Sequence, residues 1–158
     1  MKRIQLCLGW MVWLTLGLAG SGRGAEPFEG EIRAFEASDK TNAPPTNAVL
    51  FVGSSSIRLW STLARDFPEL ATINRGFGGS QIADSVRYAD RIVIPYQPRL
   101  IVFYAGGNDI NAGKKPEEVA RDFEERFVRS LERDMKKAGA AMDHMAIVLS
   151  QIKRDCTE

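Results

Sequence analysis

Apolar residues along this chain follow two patterns. The first is the short, nearly unbroken run. Ala48, Val49, Leu50, Phe51 and Val52 form one; residues 99–105, with Leu100, Ile101, Val102, Phe103 and Tyr104 at the centre, form another; residues 145–152 form a third. Runs of this length predict strands covered on both faces, as in a parallel sheet. Residues 70–74 predict one further, shorter strand. The second pattern is the helical stripe. Trp60, Leu63, Ala64 and Phe67 fall at i, i+3, i+4 and i+7 and predict a helix closed by Pro68. Ile82, Val86, Ala89 and Val93 predict a second, broken by Pro95 and Pro98. Val119, Phe123, Phe127, Leu131 and Met135 recur every four residues and predict a long amphipathic helix. It opens at Pro116 with Glu117 and Glu118 in its first turn, which suits the positive end of a helix.

Strands and helices therefore alternate from residue 48 onward. That order predicts an α/β fold of three layers, with a parallel sheet and residues 48–52 as its central strand. Residues 26–47 are a polar lead-in, in which 29–37 predict a short helix and the Pro44-Pro45 pair a stop. In sheets of this kind ligands bind at the carboxyl ends of the strands. Three loops fall there: 53–56, 75–80 and 106–109.

The first 25 residues stand apart. Lys2 and Arg3 precede an uncharged, largely apolar stretch, and small residues follow at Gly20, Ser21, Gly22, Gly24 and Ala25. This is the n-region, h-region and cleavage zone of a secretory signal, with the cut after Ala25 or after Ser21. The Gly- and Ser-rich end argues against an uncleaved anchor. We therefore expect an exported protein, periplasmic or extracellular, with no stable membrane association once the signal is removed.

Charge narrows the function. The 158 residues carry 21 Lys and Arg, 20 Asp and Glu and one His. Lys2, Arg3 and Arg23 fall in the leader, so the rest of the chain bears a net charge of −2. No basic cluster suits a phosphate backbone, and a nucleic-acid partner is not expected. Cys7 and Cys156 cannot build a disulfide framework. A single His excludes most multi-histidine metal sites, and no metal or organic cofactor is expected.

Candidate chemistry sits in the three loops. Ser55 follows a buried strand and opens a helix, a position that exposes a hydroxyl and favours developing negative charge. Gly79 could bring a backbone N–H close to an oxyanion. Asn108 could offer its side-chain amide to the same oxyanion. Each residue singly also fits a plainer role: Ser54 to Ser56 as helix caps, Gly76 and Gly78 as turn residues, Ser80 as an N-cap, Asn108 as a turn residue. Ile57, Phe77 and Ile110 would either line a small pocket or belong to the core.

Taken together and in this order, the loops resemble the SGNH, or GDSL-type, hydrolases. Phe51-Val52-Gly53-Ser54-Ser55-Ser56 is similar to the first family block, with Ser54 where many members carry Asp. Residues 74–80 are similar to the second block, and Tyr104-Ala105-Gly106-Gly107-Asn108-Asp109 to the third. The resemblance spans residues 29–153 and leans toward the bacterial branch similar to platelet-activating-factor acetylhydrolase catalytic subunits. It implies a flavodoxin-like fold and a serine ester hydrolase acting through an acyl-enzyme on a small-molecule ester, acetyl or short-chain. It implies Ser55 as nucleophile, with the Ser55 and Gly79 N–H groups and the Asn108 side chain as oxyanion donors.

One family block has no counterpart. The Asp-x-x-His that supplies the base is absent: Asp143 directly precedes His144, which lies before the predicted strand at 145–152. The chain thus reads as the N-terminal portion of such a domain (residues 48–158), truncated after the fourth strand and poorly active or inactive alone. The alternative is a non-catalytic or non-functional truncated remnant of the same domain. A dinucleotide-binding half-domain is the weaker rival: its glycine signature belongs straight after the first strand, where Gly53-Ser54-Ser55-Ser56-Ile57 stands.

Overall fold

The computed structural model describes residues 26–139. The leader at 1–25, the fourth strand expected at 145–152 and His144 lie outside the described residues.

Three strands form one parallel sheet: β1 (Val49–Gly53), β2 (Thr72–Gly76) and β3 (Leu100–Tyr104), in the order β2-β1-β3. The central place of the 48–52 run is confirmed. All five residues of β1 are buried, which is why the run contains no polar residue. Val49 pairs with Thr72 and Leu100, and Gly53 with Gly76 and Tyr104, so the three strands end level. β2 begins two residues later than its apolar pattern suggests. Arg75 and Gly76 belong to it, and Arg75 can be buried there because its charge is met. Its Nη2 donates to Asp39 Oδ1 at 2.5 Å and its Nε to the Tyr96 hydroxyl at 3.0 Å.

Alternate residues of β1 face two apolar layers. Leu50 and Val52 face the larger one with Ile73, Ile101 and Phe103. It is covered by α1 (Glu29–Thr41), α4 (Ile82–Ile92) and the helical run from Pro116 to Lys137. Val49 and Phe51 face the smaller layer with Ile57 and Leu63, covered by two single turns, α2 (Ser55–Arg58) and α3 (Leu63–Asp66). The helix expected over Trp60 to Phe67 is therefore reduced to the single turn of α3. Asp66 accepts from Thr62 Oγ1 at 2.6 Å and Trp60 Nε1 at 2.7 Å, closing a local turn that competes with a continuous helix. Trp60, Phe67 and Phe51 still pack edge to face or tilted, at 5.6–5.7 Å.

The run from Pro116 to Lys137 explains its own spacing. Four residues overshoot one α-helical turn by about 40°, so a strict every-fourth stripe would wind away from the sheet. Here the middle of the run, Asp122–Val128, is a wider π-helix between α6 (Pro116–Arg121) and α7 (Arg129–Lys137). The wider turn returns the stripe to phase, and Val119, Phe123, Phe127, Leu131 and Met135 are all buried.

Candidate active site

Ser55 is the first residue of α2, directly after the β1 exit at Gly53 and Ser54. That exit is pinned on both sides. The Ser54 N–H donates to the Tyr104 carbonyl, and the Phe77 N–H donates to the Gly53 carbonyl, each at 3.0 Å. Gly53 has φ 147°, and a Cβ there would lie 2.0 Å from the Tyr104 carbonyl oxygen. No other residue fits. Ser54 is buried and Ser55 is half-buried.

The glycine-rich loop sits against α2. A Cβ on Gly76 would come 2.2 Å from the Arg58 nitrogen, so this glycine exists to let α2 touch β2. Asn74 ties the same two elements: its Nδ2 donates to the Ile57 carbonyl at 2.7 Å and its Oδ1 accepts the Gly76 N–H at 2.9 Å. Sequence reasoning missed Asn74. Its signals were a polar residue at the end of an apolar run and its place at the start of the second block. Gly79 is exposed, with φ 76° and open space where a Cβ would go. Ser80 does not cap α4. Its buried hydroxyl donates to the Phe77 carbonyl at 3.0 Å, and the N-cap is Gln81, whose N–H donates to Asp84 Oδ2 at 2.9 Å.

The third loop is helical rather than a plain turn: α5 (Gly107–Asn111) starts at once after Gly106. Asn108 Nδ2 donates to the Ser80 carbonyl at 2.9 Å, which joins the third loop to the second. Asp109 completes the joint. Its fully buried carboxylate accepts the Ile82 N–H at 3.1 Å and Lys114 Nζ at 2.7 Å. Lys114 also donates to Asp122 at 2.8 Å, and the two carboxylates raise its pKa, Asp109 first. Asp109 is therefore a structural pin and is not free to act as a base.

The loops bearing Ser55, Gly79 and Asn108 are thus bonded to one another at one sheet edge. Among the described residues, neither the Ser55 nor the Gly79 backbone N–H donates to an acceptor. Of the three apolar candidates, Ile57 and Phe77 are core, at 3 % and 0 % exposure, while Ile110 is 41 % exposed. Among the described residues no group of three or more His, Cys, Asp and Glu could hold a metal ion. No helix among them is long and apolar enough to cross a membrane.

These features define a three-layer α/β domain with its loops gathered at the carboxyl edge of a parallel sheet. The fold is that of GDSL-like hydrolases of known structure. A GDSL-like lipase from Bacteroides thetaiotaomicron VPI-5482 is 18 % identical, with TM-score 0.57, over 75 % of this chain and 56 % of that one. A protein from Streptococcus pneumonia described as a platelet activating factor is 19 % identical, with TM-score 0.59, over 76 % and 52 %. A protein from Bacteroides fragilis NCTC 9343 described as an acylhydrolase is 23 % identical, with TM-score 0.52, over 75 % and 56 %. The chain spans just over half the length of these structures. No family model and no curated protein matches it.

Proposed function

We propose that this chain carries the nucleophile and the oxyanion donors of a serine ester hydrolase. The observation that carries the reading is the linked carboxyl edge: Ser55 opens α2 straight after the central strand, the loop of Gly79 is bonded to the end of that strand at Gly53, and the loop of Asn108 is bonded to the loop of Gly79. Ser55 Oγ attacks the ester carbonyl while its proton passes to a base. The oxyanion accepts from the Ser55 and Gly79 N–H groups and from Asn108, whose amide has two N–H donors and spends one on Ser80. The alcohol leaves with a proton, and water then releases the acyl group from Ser55.

The substrate is a small-molecule ester with an acetyl or short acyl group, and the enzyme acts outside the cytoplasm, in keeping with the leader at 1–25. The test is covalent labelling by an alkyl fluorophosphonate followed by peptide mass analysis. Slow label on Ser55, faster once an Asp-x-x-His segment of the GDSL type is appended and lost in Ser55→Ala, is the expected result. Label elsewhere, or equal labelling of Ser55→Ala, overturns the assignment.

A further inference from the structure

We propose that Glu31 and Arg58 form a clasp that positions the Gly79 N–H as an oxyanion donor, a role that rests on the serine-hydrolase reading above. Glu31 lies on α1, in the polar lead-in that precedes the sheet. Its carboxylate nevertheless reaches the glycine-rich loop. The Gly78 N–H donates to Glu31 Oε2 at 3.3 Å and Oε1 at 3.5 Å, and Arg58 Nη1 donates to Oε1 at 2.9 Å. The Arg58 guanidinium lies on Gly78: a Cβ there would come 2.9 Å from Nε and 3.0 Å from Cζ. Arg58 itself ends α2, three residues after Ser55. One carboxylate thus joins α1, the helix that carries Ser55 and the loop that carries Gly79.

The geometry gives each partner a separate task. Holding the Gly78 N–H fixes the peptide plane before Gly78, and the Arg58 guanidinium packed on Gly78 restrains the two dihedrals that lead to the Gly79 N–H. A lone carboxylate at that distance would oppose an oxyanion forming on the Gly79 N–H. Arg58 cancels that charge. Glu31 and Arg58 touch neither substrate nor reacting atoms, so both are positioning residues.

The test uses the full chain and two readouts. The first is the second-order rate of Ser55 labelling by the alkyl fluorophosphonate, whose phosphoryl oxygen needs the same donors. Glu31→Ala should slow it about ten- to a hundredfold, and Glu31→Gln, which keeps an acceptor for Gly78, should recover most of that loss. Arg58→Met should slow labelling, and adding Glu31→Gln to it should restore the rate, because no uncancelled charge then remains. Arg33→Ala, on the same helix and 74 % exposed, should have no effect. The second readout, amide hydrogen exchange and the Gly79 amide resonance, needs no reactive serine. Glu31→Ala should speed exchange at Gly78 and shift Gly79, and Glu31→Gln should do neither. Unchanged Gly78 and Gly79 amides in Glu31→Ala, or equal labelling loss in the Ala and Gln variants, overturn the clasp. Absence of Ser55 labelling even when an Asp-x-x-His segment of the GDSL type is appended to the chain, with the amide pattern as expected, overturns the hydrolase reading and leaves the clasp as a loop-positioning device.

Discussion

Asp109 and the glycines show how much a single side chain decides here. Asp109 has no exposed surface and holds both the Lys114 ammonium and the Ile82 N–H. Removing it leaves the Ile82 N–H without an acceptor and leaves Lys114, 29 % exposed, with Asp122 as its one carboxylate, at a cost of about 1–3 kcal/mol. Asp109→Ala is expected to lose about that much in chemical denaturation, and adding Lys114→Met should recover part of it. An unchanged midpoint would show that the pin is dispensable. Gly76 and Gly79 look alike in sequence and differ in the fold. Gly79→Ala meets open space and bears only the left-handed backbone penalty of about 1 kcal/mol. Gly76→Ala must push its Cβ off the Arg58 nitrogen, 2.2 Å away. Melting temperatures should therefore rank native, Gly79→Ala, Gly76→Ala, with the last far below the others; the reverse order of the two variants would refute the packing argument.

At the scale of elements, α1 is docked mainly by charge. Ile32 is its one fully buried residue, and Arg75 lies over the Phe35 ring at 5.0 Å. Arg91 of α4 donates to Glu36 at 2.7 and 2.9 Å and to Glu29 at 2.7 and 3.2 Å. Arg91, then Arg33, holds Glu29 down at a pKa of about 2, and Arg91 lowers Glu36 too. A carboxylate depressed in the folded state stabilises it above its ordinary pKa, and that contribution is lost as pH falls toward the folded value. Thermal stability should thus decline from about pH 4.5 down to about 2. The decline should be shallower in Arg91→Ala, whose two carboxylates titrate closer to their ordinary range. Parallel curves for the two proteins would show that this contact does not hold α1.

At the scale of the whole molecule, the described residues have a site edge but no histidine: His144 is the chain's only one and lies outside residues 26–139. A serine hydroxyl is a weak nucleophile without a base. We therefore expect slow or no turnover of p-nitrophenyl acetate by the 158-residue chain. Appending an Asp-x-x-His segment of the GDSL type should bring Ser55-dependent turnover. Robust turnover without it, lost in both Ser55→Ala and His144→Ala, would make His144 the base.

The sequence by itself determined the layer order, the parallel sheet and the central strand, because those follow from which residues must leave water. The unbroken 48–52 run admits burial on two faces, and the stripes between runs admit only helices. It also marked Ser55, Gly79 and Asn108, since strand ends in such a sheet share one edge. Even the π-helix was written in the every-fourth spacing from Val119 to Met135, though the pattern was read as a plain helix. Only the tertiary structure decided the rest. That Gly76 is needed by Arg58, that Asn74 ties α2 to β2, that Asp109 is a pin and that Glu31 reaches Gly78 all depend on residues far apart in sequence meeting in space. Local pattern carries no record of such partners, because the same Gly, Asn, Asp or Glu would serve equally in a solvated turn.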